Sequence, residues 1–466
     1  MDEFLRDIHT TIFKQWILHQ KYPNYQVQLD KDDENIIMIS TEYGQGKVIF
    51  NEHNIIELEV MNISTQEVEF YLHFQLNTMN HTLKLYEEML ESLNSLIEQP
   101  IIKVLLSCSG GLTTSYFAYK INEAAEILKL NIHVEAIGYT QLYDVGNQYD
   151  VIMLAPQISY MHAKIQEILK DQVVIEIPTQ AFAKYDVSKV VSIIKEAVEQ
   201  KKQAPVLLKK PLTIQSNIKC QTKILSLAII RNSNRVHIPY RLYGPNNTII
   251  LDNEIIKPEL TIQDIIDVIN TVLVHYEDTE IIGITIPGII NKNIIKSAHI
   301  NGLEIIDTDL ITCHFHQKII FANDVNAAAV GYYASQSQYS SLSLLFQPIN
   351  FGAGAGMVID GNLVVGYNNL AGEVQYFPMN LSDEHLVLSK TPEGTLELVS
   401  KTILTIMGVI SPEAIILYCT LITDIDELKR EIAKYIPSEY IPDIIKVESL
   451  NEYCLLGQMI LCAQSL

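Results

Sequence analysis

Apolar residues recur at Phe4, Leu5, Ile8, Ile12, Phe13 and Trp16. That is the spacing of one helix face, and it predicts a helix of about 17 residues. Asp/Asn-rich breaks then alternate with short runs rich in β-branched and aromatic residues, at 35–40, 46–50, 55–61 and 68–75. Such runs are strands by composition, and a second helix is expected over 79–98. Residues 1–98 therefore read as a small α+β domain. A DNA-reading helix-turn-helix needs short helices in succession, and none is visible there.

From residue 101 the pattern changes. Residues 101–106 form an apolar run interrupted only by Lys103, the mark of a buried parallel strand. A Gly/Ser/Thr loop follows, then a helix over 114–128, strands at 132–137 and 151–154, a helix over 160–169, a strand at 173–177 and a helix over 187–199. This alternation predicts a four-stranded parallel α/β domain over residues 99–200. Ligands of such sheets sit at the carboxyl ends of the strands, where the loop after residue 106 lies. A polar linker, residues 200–205, leads to a large α/β region, 206–466. Three glycine-bearing turns stand out in it: Ile286-Pro287-Gly288, the run from Phe351 to Gly356, and Leu370-Ala371-Gly372-Glu373. No tandem repeat or low-complexity tract interrupts the chain.

Composition narrows the possible partners. The 466 residues carry 33 Lys+Arg against 55 Asp+Glu, a net charge of −22. Such a surface repels nucleic-acid phosphate, so direct nucleic-acid binding is not expected. The first residues lack a basic, apolar leader, and no stretch has the length of a membrane span. The six cysteines are far apart without Cys-x-x-Cys pairing, which argues against zinc or a disulfide framework. Reduced thiols in a cytoplasm fit this usage.

The string Ser107-Cys108-Ser109-Gly110-Gly111-Leu112-Thr113-Thr114-Ser115 carries candidate chemistry. A cysteine between a buried strand and a helix start faces the free N–H groups of the first turn, which favour a thiolate. Those groups, the glycines and the hydroxyls of Ser109, Thr113, Thr114 and Ser115 form a cradle suited to a dianion. A buried cysteine before a packing turn would give a similar string. A phosphatase loop would need an arginine six residues after the cysteine to clamp the transferring group. Thr114 occupies that place, which favours a carrier over a hydrolase.

Residues 108–115 resemble the phosphorylation loop of lactose/cellobiose-type enzyme IIB of the sugar phosphotransferase system. The segment Asp150-Val151-Ile152-Met153-Leu154-Ala155-Pro156-Gln157 resembles the third strand and Pro-Gln turn of that family. The resemblance implies that Cys108 accepts phosphate, held by residues 109–115. The donor it implies is a phosphohistidine on an enzyme IIA-type partner, and the recipient a sugar in a membrane permease. Neither a permease nor an enzyme IIA segment is evident in the chain.

In the carboxy-terminal region Gly352, Gly354 and Gly356 form a flat glycine hairpin of the kind that approaches phosphate, although such hairpins are also ordinary tight turns. Asp324, in Ala322-Asn323-Asp324-Val325-Asn326, is placed to act as a base toward a hydroxyl, and Glu373 to bond one. Residues 284–288, 322–329, 351–356 and 370–373, in this order, are similar to the ROK family of sugar kinases and sugar-responsive repressors. The resemblance implies a two-lobed actin/hexokinase-like fold over 206–466. It places Asp324 at the kinase base position, and Asn301, Asn323, Asp324, Glu373 and Tyr376 around the sugar.

The departures from that family are as informative. Its first phosphate loop, Asp-x-Gly-Gly-Thr-Lys, has Asn217-Ile218-Lys219-Cys220-Gln221-Thr222-Lys223 as its nearest counterpart. Ala353 replaces a threonine of the second loop. Leu417, Tyr418 and Cys419 stand where a glycine pair meets adenosine, and Tyr376 where a histidine is expected. The family's zinc-binding cysteines are absent, and Cys313-His314-Phe315-His316 supplies too few ligands for a metal. The expectation is a sensor of the phosphotransferase system with a pseudokinase-like sugar-binding half. The alternatives are a working phosphocarrier for a separate permease, and an active kinase, in which case Mg-ATP would be a cofactor. A homo-oligomer is expected, with residues 1–98 serving dimerisation or partner docking.

Overall fold

The computed structural model describes residues 3–20, 22, 24–63, 66–96, 101–110, 112–128, 130–170, 172–201, 221–231, 235–300 and 303–465. Helix α1 (Glu3–His19) is followed by β1 (Gln26–Leu29), β2 (Ile36–Ser40), β3 (Gly44–Phe50), β4 (Ile55–Asn62), β5 (Val68–Gln75) and α2 (Met79–Asn94). Next come β6 (Ile102–Cys108), α3 (Leu112–Ile127), β7 (Ile132–Gly138), β8 (Val151–Leu154), α4 (His162–Ile168), β9 (Val173–Glu176) and α5 (Val187–Lys201). Then β10 (Lys223–Ala228), β11 (Val236–Tyr243), β12 (Ile249–Lys257), α6 (Ile262–His275), β13 (Thr279–Ile286), β14 (Lys318–Asn323) and α7 (Asp324–Ser335) follow. The remainder holds β15 (Leu342–Phe346), β16 (Gly354–Ile359), β17 (Asn362–Leu363), α8 (Pro392–Ile410), β18 (Ala414–Tyr418), α9 (Ile425–Ile432), β19 (Asp443–Lys446) and α10 (Asn451–Gln464).

The chain divides into two compact units. The first is Met1–Pro100 with Asn217–Asp324 and Cys454–Leu466; the second is Ile101–Ser216 with Val325–Tyr453.

In the first unit the strands named above form one sheet in the order β1-β2-β3-β4-β5-β12-β11-β10-β13-β14, and Ile289–Asn291, Ile294–Ile300 and Leu303–Asp307 form a separate three-stranded antiparallel sheet. The antiparallel meander β1–β5 runs into β12 through Tyr71, which pairs Ile256. The strands of residues 1–98 thus continue those of residues 223–323 without a break, and β1 is a strand that the sequence pattern did not predict. Charge also ties the two parts. Lys257, 4% exposed, lies 2.6 Å from Asp264 in the first turn of α6 and 2.8 Å from Glu88 on α2. Burial works against its charge, but the two carboxylates outweigh it and raise its pKa. Helix α10 is held through Ser226 Oγ, which donates to the Leu455 carbonyl, and through Gln458, which donates to the Ile320 carbonyl.

The second unit has two sheets. One is the predicted four-stranded parallel sheet, in the order β7-β6-β8-β9. The other has the order β17-β16-β15-β18-β19, antiparallel across its first two joins and parallel across the last two. The series β12-β11-β10-β13-β14 of the first unit has the same order and the same directions. The two halves expected of residues 206–466 are therefore present as two sheets of like topology. Helix α8 begins on the Thr391 side chain, which accepts from the Gly394 N–H, with Pro392 at its first position.

The parallel sheet is buried on both faces. Val104, Leu106 and Cys108 pack with Phe117, Ile121, Val190 and Ile194 of α3 and α5. Leu105, Ile152 and Leu154 belong to a different core, shared with Ile165 of α4 and with Val399, Ile403, Ile415 and Leu417 from α8 and β18. Ionic and polar contacts edge that junction. The Tyr139 hydroxyl donates to Glu393 Oε1 at 3.1 Å, Lys390 lies 3.3 Å from Asp144, and Lys170 pairs with Glu448. Among the described residues no helix is long and apolar enough to cross a membrane.

Candidate functional site

Strand β6 delivers Cys108 to the carboxyl edge of the parallel sheet, in register with Gly138 at the end of β7. The thiol is 5% exposed, and its Sγ lies 3.2 Å from Oγ1 of Thr114, which is fully buried. Thr114 was read from sequence as a cradle hydroxyl at the place of a missing arginine. Its direct contact with the cysteine depends on α3 starting at Leu112, which brings Thr114 back over the strand end. The N–H groups of the first turn of α3 lack carbonyl partners within the helix and carry partial positive charge toward the loop. Ser109, Gly110, Thr113 and Ser115 are exposed. A methyl group placed on Gly110 or on Gly138 would meet no atom of the described residues within 4 Å, so packing does not require a glycine at either position. Gly111 lies outside the described residues.

Of the other described cysteines, Cys313 is exposed, and Cys419, Cys454 and Cys462 are buried as Cys108 is. Burial pushes the Cys419 thiol up to about 11, and it pushes Cys454 well up, with the charge of Asp324 adding to the effect.

The remaining candidates fall in both units. In the first, Asn323 ends β14 and its Nδ2 donates to the carbonyl of Gly288, 3.0 Å away. Asp324 follows as the first residue of α7, and its carbonyl accepts from Cys454. Asn301 lies between strands Ile294–Ile300 and Leu303–Asp307 and is outside the described residues, as are Asn217–Cys220. In the second unit, Glu373 forms a β-bridge with Gly354, and the Ala355 N–H donates to the Gly372 carbonyl at 2.8 Å. The glycine hairpin and the Glu373 turn are thus one structure, a link that the sequence did not reveal. Burial raises the Glu373 carboxyl above its ordinary value, opposed by a hydrogen bond from Gln375. Tyr376 is 62% exposed.

Packing accounts for most of the hairpin glycines. A Cβ at Gly354 would stand 3.1 Å from Val325 Cγ2, and one at Gly356 would stand 2.5 Å from the Val325 carbonyl oxygen. Helix α7 therefore crosses β16 too closely for side chains. Gly352 alone of the three faces open space. Where the ROK resemblance expects a glycine pair, Leu417 and Cys419 are buried and the Tyr418 ring stacks on Phe346 at 5.2 Å. His314 and His316 are exposed, and no group of three or more metal-ligating side chains exists among the described residues.

Comparison with known proteins gives two family matches. Residues 103–193 match the lactose/cellobiose-specific IIB subunit of the PTS system, and residues 235–395 match the ROK family. A xylose repressor of Bacillus spizizenii is 27% identical over 145 residues, 29% of this chain and 38% of that protein. The lactose-specific EIICB component of the PTS system of Staphylococcus haemolyticus is 36% identical over 76 residues, 16% of this chain and 13% of that protein. This chain thus aligns with well under half the length of either relative. Among solved structures, the ROK hexokinase of Thermus thermophilus matches with a TM-score of 0.43 and 14% identity, covering 52% of this chain and 98% of that one. The chain therefore joins a segment that matches the lactose/cellobiose-specific IIB subunit to a segment that matches the ROK family.

Proposed function

We propose that this chain is a sugar-responsive regulator linked to the phosphotransferase system, in which Cys108 carries a phosphoryl group and the ROK-type segment recognises a sugar or sugar phosphate. The observation that carries this reading is the shared core between the sheet bearing Cys108 and the β15–β19 half of the ROK-type segment. A phosphoryl group on Cys108 adds about −1.5 to −2 charge. That charge arises in a module docked on the sugar-recognising fold.

The Cys108 thiolate attacks the phosphorus of a phosphohistidine on an enzyme IIA-type donor. The S–P bond forms, the P–N bond breaks, and the donor imidazole takes up the proton that the thiol released. The new oxygens meet the first-turn N–H groups of α3 and the hydroxyls of Ser109, Thr113 and Ser115. Thr114 holds the sulfur. The ROK resemblance assigns Asn301, Asn323 and Asp324 of the first unit and, separately, Glu373 and Tyr376 of the second to sugar recognition.

Mg-ATP has little place in this reading. Gly354 and Gly356 serve helix packing, and Leu417, Tyr418 and Cys419 fill the stretch where adenosine would lie. A second reading, a phosphocarrier serving a separate permease, shares the chemistry and is favoured by the exposure of Ser109, Gly110, Thr113 and Ser115.

Labelled phosphate supplied through a phosphorylated IIA-type donor tests the site. Label is expected on the wild-type chain and absent from Cys108→Ser; label on the mutant would refute the assignment. Incubation with Mg-ATP and a hexose panel tests the pseudokinase reading. Turnover that Asp324→Asn abolishes would overturn it.

A further inference from the structure

Helix α1 presents its polar side to the protein and its apolar side to water. Arg6 donates to Asn77 Oδ1 at 3.0 Å, Thr10 donates to Asn54 Oδ1 at 2.6 Å, and Asp7 Oδ1 accepts from Asn54 Nδ2 at 2.8 Å. The Lys14 ammonium lies 5.6 Å from the centre of the Phe50 ring. Phe13 and Ile17, on the same side, are the buried residues of the helix. Away from them, Phe4, Leu5, Ile8 and Ile12 are between 38% and 66% exposed, and Trp16, at the margin where it stacks on Phe13 and meets Tyr86 edge-on, is 37% exposed. At one residue per ~100° these five fall within an arc of roughly 120°, the width of a core-facing stripe. Together they leave roughly 500 Å² of apolar side chain in water, a patch of the size that marks an interaction site.

We propose that this face of α1 docks on the same face of a second copy of the chain, giving a twofold dimer whose axis passes near Ile8 and Ile12. A twofold contact requires a self-complementary surface. The row Phe4, Ile8, Ile12, Trp16 is an i±4 ridge that interdigitates with its own copy at a crossing angle near −50°. Two such faces remove roughly 1,000 Å² from water, the lower bound for a specific interface. Charge selects the same surface. The chain carries −22, so most approaches of two copies bring like charges together. Within α1, Glu3 and Asp7 balance Arg6 and Lys14, and the stripe itself is uncharged.

Two other modes are disfavoured on the same grounds. The free edge of β1 is four residues long and runs into Asp30, Asp32, Asp33 and Glu34, which resist edge-to-edge pairing. A lipid surface would call for a basic polar face, whereas Arg6 and Lys14 are turned onto the protein body.

Sedimentation equilibrium of the full chain tests the proposal, with Ile8→Glu/Ile12→Glu and Ile8→Lys/Ile12→Lys as variants. The wild type is expected at the mass of two chains and each double variant at the mass of one, with thermal midpoints within a few degrees of each other. An equimolar mixture of the two variants regains the mass of two chains. A monomeric wild type, or a dimer that persists in both variants, overturns the proposal. A monomeric wild type that co-sediments with phosphatidylcholine vesicles overturns it in favour of a lipid surface.

Discussion

A methyl group on Gly110, in the loop after β6, would meet no atom within 4 Å; on Gly372, beside the β16 hairpin, it would stand 1.7 Å from the carbonyl oxygen of Ala355. Gly110 lies in the loop read from sequence as a phosphate cradle, and Gly372 in the glycine turn that carries the sugar-binding candidate Glu373. At Gly110 a side chain would point into open space. At Gly354, Gly356 and Gly372 it lets a helix and two turns close on one another. The same residue type thus marks open space in one region and tight packing in the other. The second use removes most of the glycine-based argument for a nucleotide in the ROK-type segment.

Substitutions can break or sharpen this contrast. Gly372→Ala should be the most damaging. It combines the contact with Ala355 with a left-handed backbone, φ +87°, and should cost about 4 kcal/mol or more in chemical denaturation. Gly356→Ala meets the Val325 carbonyl at 2.5 Å and should cost about 2–3 kcal/mol. Thr114→Val keeps the volume but loses the contact to Cys108. It should cost about 1 kcal/mol and slow phosphate uptake without abolishing it, as followed by label incorporation. Gly110→Ala should change stability by less than about 0.5 kcal/mol. A large loss at Gly110, or tolerance at Gly372, would erase the distinction between the two loops.

Glu373 supplies a test in pH. Burial raises its carboxyl in the folded chain, so the folded state holds that proton more tightly than the unfolded state does. Stability is unaffected below the unfolded value, near ~4.3, and falls as pH rises through the folded value. Glu373→Gln should therefore match the wild type in thermal midpoint at low pH and exceed it at pH 7. Equal midpoints at both pH values would mean that Glu373 bears no such cost.

The parallel sheet was legible because β6 and β8 read as largely apolar runs and strands alternate with helices, with β6, β7, β8 and β9 at or within two residues of their expected places. Strands β2–β5 were legible as strands, β1 was not, and none was legible as part of a larger sheet. The join of Tyr71 to Ile256 spans 185 residues, and edge pairing of that kind leaves no local signature. Helix α1 was recognised by spacing. Which arc faces the protein was not legible, since Phe4, Ile8 and Ile12 look like core residues and Arg6 and Thr10 like surface ones. At the candidate site, Cys108 was visible from its neighbours in sequence, whereas the bridge between Gly354 and Glu373 and the link from Tyr139 to Glu393 needed the fold. That Leu142, Tyr143, Ile165 and Leu169 lie in a core shared with α8 and β18 likewise needed the fold.

The central claim is that the state of Cys108 is felt by the sugar-recognising segment. Titration of the full chain with the best-binding sugar of a hexose and hexose-phosphate panel, with and without phosphorylation by a IIA-type donor, addresses it most directly. The account predicts that phosphorylation changes the affinity by about fivefold or more, and that Cys108→Ser removes the difference. Equal affinities in both states of a fully phosphorylatable wild-type chain would contradict it.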